Sequence, residues 1–387
     1  MRATHAALLA LSLATGAMAD VSVDIQYIRQ IVEAPPTLSN LDAPPEDLGV
    51  MGAMLGVADN ETTGRFLGQT YSLTVVDVPL DGDPLAAARA ALSESPYLVL
   101  DAPATTVLAI ADLPEAAGAL LFNAGAPDPA LRDDACRANL LHTAPSTAMR
   151  ADALMQFFVA RRWEELALVQ GSHPRDRAFA RALTQSADKF GLRIRATKDW
   201  VFDADMRRNA SQEVPLFTQD LPRHDVLLIA DEIADFGRYI AYNTWEPVPV
   251  AGSEGLMPVA WAPVVEQWGA AQLQGRFEET ADRDMAPLDY AAWAAVRTIG
   301  EAVTRTSSDD AATLRAFILS DAFELAGFKG RPLTYRGWNG QLRQPIPLVT
   351  ERAVVASAPL EGFLHRTTEL DTLGLDAPET ACTAFEE

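Results

Sequence analysis

Short apolar segments alternate with helical ones along most of this chain, and that rhythm restricts the fold more than any single motif. The segment VLLIA at Val226–Ala230 is apolar at every position, so both of its faces must be covered. A strand buried on both faces belongs to a parallel sheet with helices above and below, joined by right-handed crossovers. Further strands are expected at 21–28, 71–78, 97–100, 119–122, 165–169, 193–201 and 248–251. Helices are expected at 46–61, 84–92, 105–113, 148–162, 177–190, 233–242, 287–304 and 311–320. The series restarts near residue 143, as though a second doubly wound sheet begins there. From residue 352 onward the chain is polar and carries little pattern. The expected class is α/β, with parallel sheets wound on both faces.

A chain of 387 residues is too long for one small core and suits two domains of ordinary size. Its first nineteen residues have a different character. Arg2 is followed by a short apolar run from Ala6 to Leu13, then by Ala17-Met18-Ala19, the small-x-small pattern of a leader-peptidase site. The run is shorter than the roughly 20 residues of a membrane span, so it reads as a cleaved export signal. That places the mature chain outside the cytoplasm, away from ATP and NAD. The net charge of −22 repels nucleic acid and anionic lipid, and neither is an expected partner. No membrane insertion and no cofactor is expected. Cys136 and Cys382 are the only cysteines. In an oxidising compartment they read as one disulfide tying the tail to the middle of the chain, the alternative being two buried thiols. No Cys/His cluster or spaced acidic loop points to a metal site.

Several strings resemble one known family. His142-Thr143-Ala144-Pro145-Ser146, followed by a helix, a strand and Gly171-Ser172-His173-Pro174, resembles the inter-lobe crossing of type I periplasmic binding proteins. LDYAAWAAVR at 288–297 resembles a late helix of their branched-chain amino acid receptor branch. FKGRPLTY at 328–335 with WNGQ at 338–341 resembles that branch's GPLTW-DEKGD-type segment, and GRFLGQ at 64–69 takes the place of its G-x-LGR turn. The resemblance implies two lobes joined by crossing hinge segments, closing on a small-molecule ligand that is handed to an ABC transporter permease. On it, one lobe comprises 20–143 plus about 262–337 and the other 144–261 plus about 338–358, leaving a tail at 359–387. A narrower likeness lies in DNETTGRFLGQ (59–69), CRANLLHTAPS (136–146) and HRTTELDTLGLD (365–376). These resemble receptors associated with PQQ-dependent alcohol oxidation, some of them linked to lanthanide handling.

Ligands of open α/β sheets bind beyond the carboxyl ends of the strands. In the first lobe that singles out Arg29, Thr105, Thr106, Asn123 and Ala124. In the second it singles out Ser172, His173, Asp231 and Glu232, with Trp261 near a crossing. Each has a structural reading beside the binding one. Thr105 can cap its helix, Asn123 can form a turn, and His173 can be a solvated loop residue. Asp231 and Glu232 can cap the next helix, and Trp261 can pack in the hinge. DAPATT after the 97–100 strand and FNAGAPD after the 119–122 strand depart from the amino acid receptor pattern, so an α-amino and α-carboxyl clamp is not expected. The competing functions are a sensory or scaffolding module on the same fold, an extracytoplasmic enzyme, and a receptor for a metal ion. Gly252-Ser253-Glu254-Gly255 lacks the spacing of a nucleophile elbow.

Overall fold

The computed structural model describes residues 21–33, 43–201 and 206–386; the leader expected at 1–19 lies outside them. The amino-terminal part holds β1 (Val21–Gln30), α1 (Val50–Leu67), β2 (Gln69–Val78), α2 (Pro84–Glu94), β3 (Tyr97–Asp101), α3 (Ala104–Ala111), β4 (Leu120–Asn123) and β5 (Leu140–His142). Its five strands form one parallel sheet in the order β2-β1-β3-β4-β5. Successive strand residues serve opposite faces. Tyr97 and Val99 pack on one side, Leu98 and Leu100 on the other beneath α2 and α3.

The second part begins with α4 (Thr147–Arg161), then β6 (Glu165–Gln170), α5 (Pro174–Lys189), β7 (Arg193–Asp199), α6 (Met206–Thr218), β8 (Val226–Ala230), α7 (Gly237–Ile240) and β9 (Val250–Gly252). The parallel order β7-β6-β8-β9 makes a second doubly wound sheet, with α4 and α5 on one face and α6 and α7 on the other. After β10 (Met257–Pro258) come α8 (Ala270–Ala281), α9 (Pro287–Thr306) and α10 (Ala311–Ile318), all packed against the first sheet. A two-stranded ribbon, β11 (Thr334–Tyr335) and β12 (Leu342–Arg343), leads to the hairpin β13 (Ile346–Thr350) and β14 (Ala353–Ala358). The hairpin pairs with β10 and contributes Ile346, Leu348 and Ala358 to the core under α4.

The sequence reading left out β5, α6, α8 and β10–β14. It also overextended one helix. The stretch expected at 233–242 is helical only at Gly237–Ile240, because the Asp231 carboxylate turns back to accept from the N–H groups of Asp235, Phe236 and Gly237 (2.7–2.9 Å). The expected start of α1 at 46 moves to Val50, since Gly49 sits at φ +79° with its N–H held by Asp289 Oδ1 at 2.7 Å. Cys136 and Cys382 form a disulfide and no free cysteine is left. The tail is ordered around it. The buried Arg336 guanidinium bonds Asp371 Oδ1 (2.9 Å), Leu373 O (2.7 Å) and Leu375 O (2.9 Å).

Helices α1 and α9 meet at backbone distance. A Cβ on Gly52 would stand 2.0 Å from Asp289 O, and one on Gly300 would stand 2.1 Å from the Asn60 side chain. Asn60 in turn donates to Val296 O at 3.0 Å. By contrast Gly275, inside α8, has nothing within 4 Å of its missing Cβ. Gly52→Ala is therefore expected to lower unfolding free energy by about 1–3 kcal/mol through overpacking. Gly275→Ala is expected to raise it by up to about 1 kcal/mol through helix propensity. Urea unfolding followed by tryptophan fluorescence checks both signs.

Candidate functional site

Among the described residues the chain crosses between the two cores at three places before its tail, which returns from Leu373 in the second core to Phe385 on the first. Ala144, Ala260, Trp261 and Leu342 pack with the first sheet; Met149, Leu256 and Ile346 pack with the second. The crossings run side by side. His142 N donates to Gly340 O (2.9 Å), and Val259 N donates to Pro347 O (3.1 Å). A buried polar knot joins them. Arg132 donates through Nε to Gln341 Oε1 (2.8 Å), and through its terminal nitrogens to Ala126 O, Asp128 O and Ala144 O (2.9–3.0 Å). The Gln341 amide reaches His142 O and Ala144 O, and the Gln344 amide reaches Thr143 O. Lys329 donates to Gln344 Oε1 at 2.6 Å and lies 4.5 Å over the Tyr290 ring. Burial pushes its ammonium well down.

The strand ends beside this hinge carry the candidate site. On the first sheet Tyr27, Arg29 and Asp101 share one face. The Tyr27 hydroxyl is buried beneath Gly49 and has no hydrogen-bond partner of normal geometry, although it lies near enough to favour the Asp101 carboxylate. Burial pushes Asp101 up to about 6, against the pull of Arg29 and of Arg175. Arg175 is exposed in the first turn of α5, in the second lobe, and its charge acts to lower the Asp101 carboxyl without forming an ion pair with it. Beside the crossing at Met257–Pro258 lies a cavity of about 320 Å³. Asp284, Met285 and Pro287 bound it from the first lobe together with Met257, Val259, Trp261 and Val349, which pack on the same core, and Glu351 closes it from the turn of the β13–β14 hairpin, whose Ile346 and Leu348 join the second core. Its walls are mostly apolar.

The residues expected to bind divide into two groups. Thr105 is exposed and Thr106 half-buried in the first turn of α3, whose N-cap is Pro103, so neither is the cap. Ser172 is exposed after β6. Trp261 lines the cavity with an edge, while its ring stacks on Tyr290 (4.8 Å between centroids) and its Nε1 donates to Gln274 Oε1 (3.0 Å). The others are occupied by the fold. Arg29 makes a two-bond ion pair with Asp77 (2.8 and 2.9 Å) and donates to Glu46 O. Asn123 is fully buried, closing a turn through both amide atoms to Ala126 (2.8 Å each). Ala124 is buried, its N–H spent on Leu100 O (3.0 Å). His173 caps α5, with Nδ1 accepting from Arg175 N at 3.3 Å. Asp231 holds the loop described above. Glu232 pairs with Arg150 through two bonds (2.6 and 3.0 Å) and accepts from Ser253 Oγ. Burial acts to raise Glu232, but Arg150 and Ser253 outweigh it and hold the carboxyl low.

Sequence reasoning marked Tyr27–Gln30 as a strand end but selected only Arg29 from it, and it did not select Asp101 or the cavity wall at 284–287. Asp101 had a legible signal, an acid directly after the apolar run LVL. Arg175 lay beside the chosen pair but joins Asp101 only through the fold. Among the described residues no group of three or more His, Cys, Asp or Glu is gathered to hold a metal ion.

Two doubly wound lobes joined by three adjacent crossings, with a cavity beside the second of these, define a two-lobe architecture. Solved structures share it. The chain superposes on the periplasmic ligand-binding protein of a branched-chain amino acid ABC transporter from Burkholderia xenovorans LB400 with a TM-score of 0.71. Identity is 14%, covering 94% of this chain and 100% of that one. A periplasmic binding protein from Burkholderia mallei gives 0.64 at 16% identity, covering 95% and 99%. A solute-binding protein of an ABC transporter from R. palustris, solved with benzoate, gives 0.64 at 12%, covering 94% and 99%. No protein-family profile and no curated protein matches the chain by sequence. The fold is that of the type I periplasmic binding proteins.

The Asp101 carboxyl gives a pH signature. An acid whose pKa is raised by folding binds its proton more tightly when native, so its contribution is present at low pH and is lost as pH rises through about 6. Asp101→Asn removes that loss. The variant should be more stable than wild type at pH 8 by about 1–2 kcal/mol and nearly equal to it at pH 4. Urea unfolding at the two pH values checks this, and an equal shift at both would contradict it.

Proposed function

We propose that this protein is the extracytoplasmic ligand-binding component of an ABC transporter, a receptor that closes two lobes over a small organic solute without altering it. The carrying observation is the cavity of about 320 Å³ that lies beside the crossings between the lobes, walled by the first lobe and by the hairpin that joins the second. A solute held there stabilises the closed arrangement by the difference between its closed and open contacts. Desolvation on closure strengthens the few polar contacts that orient it. Outside the cavity's own lining, Asp101 and Tyr27 of the first lobe and Arg175 of the second offer polar contacts at the strand ends, with Thr105, Thr106 and Ser172 on neighbouring ones. Trp261 and the first turn of α9 form the apolar side. Arg29, Asn123, Asp231 and Glu232 hold the walls that carry these groups.

The leader-like pattern of residues 1–19 supports export to the periplasm, and a permease that reads the closed form is the partner. Among the described residues no helix is long and apolar enough to cross a membrane. The resemblance of 59–69, 136–146 and 365–376 to receptors of PQQ-associated systems supports a place beside periplasmic alcohol oxidation. A metal cargo has less support, since the acids expected to ligate one, Asp231 and Glu232, are occupied by backbone N–H groups and by Arg150.

Mass spectrometry of small molecules released on denaturing the purified full chain identifies the solute. Its return should raise the melting temperature of wild type, and Arg175→Ala should weaken binding tenfold or more, about 1.4 kcal/mol. Catalytic turnover of the released solute, or a solute whose affinity is unaffected by Arg175→Ala, would contradict the reading.

A further inference from the structure

We infer that residues 370–386 form a strap across the hinge that limits how far the lobes open. The segment is held by both lobes. On the second, Leu373 is buried in the core under α4, Gly374 N donates to Asp152 Oδ2 (2.8 Å), and Lys189 Nζ bonds Gly374 O (2.8 Å) and Glu379 (3.2 Å). The Gln156 amide donates to Thr372 Oγ1 at 3.3 Å. On the first, Cys382 is bonded covalently to Cys136, Thr380 Oγ1 donates to Arg132 O (3.0 Å), and Ala381 N donates to Asp133. Phe385 then packs against the first lobe's core beside Gly340.

The path between the two sets of contacts lies on the crossings themselves. Gly374 faces Met149 and Ser146, where the first crossing enters α4, and Phe385 faces Leu141 and Gly340, where the first and third crossings leave the first sheet. Glu379 is held by Lys189 of one lobe and Thr380 by Arg132 of the other, so a single peptide bond separates the opposing contacts. A trans peptide spans 3.8 Å between α-carbons and has no slack to give. Opening the hinge stretches the Lys189–Glu379 pair and pulls on Gly374, whose backbone is held by Asp152 and Lys189, because the disulfide does not release the other end. The strap adds a fourth connection between lobes that the crossings alone leave free to rotate. It shifts the unliganded equilibrium toward closed forms, which raises apparent affinity by enlarging the competent fraction.

The test uses the full chain carrying spin labels at exposed Ala90→Cys on α2 and Arg181→Cys on α5, with the inter-lobe distance read by double electron–electron resonance. Without any added solute, Cys136→Ser/Cys382→Ser should give a broader distribution shifted to longer distance than the parent. Glu379→Gln, which loosens only the second-lobe contact and keeps the disulfide, should shift it in the same direction by less. Circular dichroism establishes that each variant is folded, and Glu379→Gln decides the matter if the double serine variant is not. A distribution identical to the parent in every folded variant overturns the strap. Each protein is first stripped of bound molecules by denaturation with the disulfide left unreduced and refolding, so no ligand enters the measurement and its outcome is independent of whether the proposed receptor function is right.

Discussion

The buried guanidinium of Arg132 is the point on which the two halves turn. It contacts both the first crossing, through Ala144 O, and the third, through Gln341 Oε1, and a charged donor out of water is tolerated only when its N–H groups are satisfied. Burial lowers its hold on the proton, with Asp128 opposing. Because Gln341 and Gln344 spend their own amides on the backbone of the neighbouring crossing, these segments cannot slide without orphaning several polar groups. Each orphan costs about 1–3 kcal/mol, more for a charge. The knot therefore permits rotation about the crossings and resists their separation, the mechanical property a clamp needs.

Much of the architecture was legible because burial on both faces writes itself into composition. VLLIA was located residue for residue, and LVL and LLF mark the strands at 97–101 and 120–123. The restart of the pattern near 143 falls just before α4, which begins at Thr147. Short elements escaped because two- and three-residue strands have no period to detect: β5, β10, β11 and β12 exist only through their pairing. The tail looked patternless because its order comes from Arg336, Asp371 and a disulfide rather than from a buried face.

The site was less legible for a related reason. A polar residue after a buried strand can meet a ligand or can satisfy the backbone of the turn that follows, and both demands select Asn, Asp and Glu. Asn123 and Asp231 turned out to do the second. Glu232 is neutralised by Arg150, a partner 82 positions away that no local pattern discloses. The three strings that resemble PQQ-associated receptors are also structural: Asp59 receives Trp293 Nε1, Arg132 lies just before CRANLLHTAPS and feeds the crossing at its end, and Asp371 fixes the strap. They record how α1 meets α9 and how the hinge and the tail are built; on the proposed function the ligand meets groups outside them, such as Asp101 and the wall at 284–287.

The central claim is that the lobes close on a solute lodged between them. Small-angle X-ray scattering of the full chain, stripped of bound molecules by denaturation and refolding and then given back the solute recovered from it, tests this most directly. The account predicts a smaller radius of gyration with the solute present, saturating at one equivalent. A scattering curve that stays the same through saturation would contradict it.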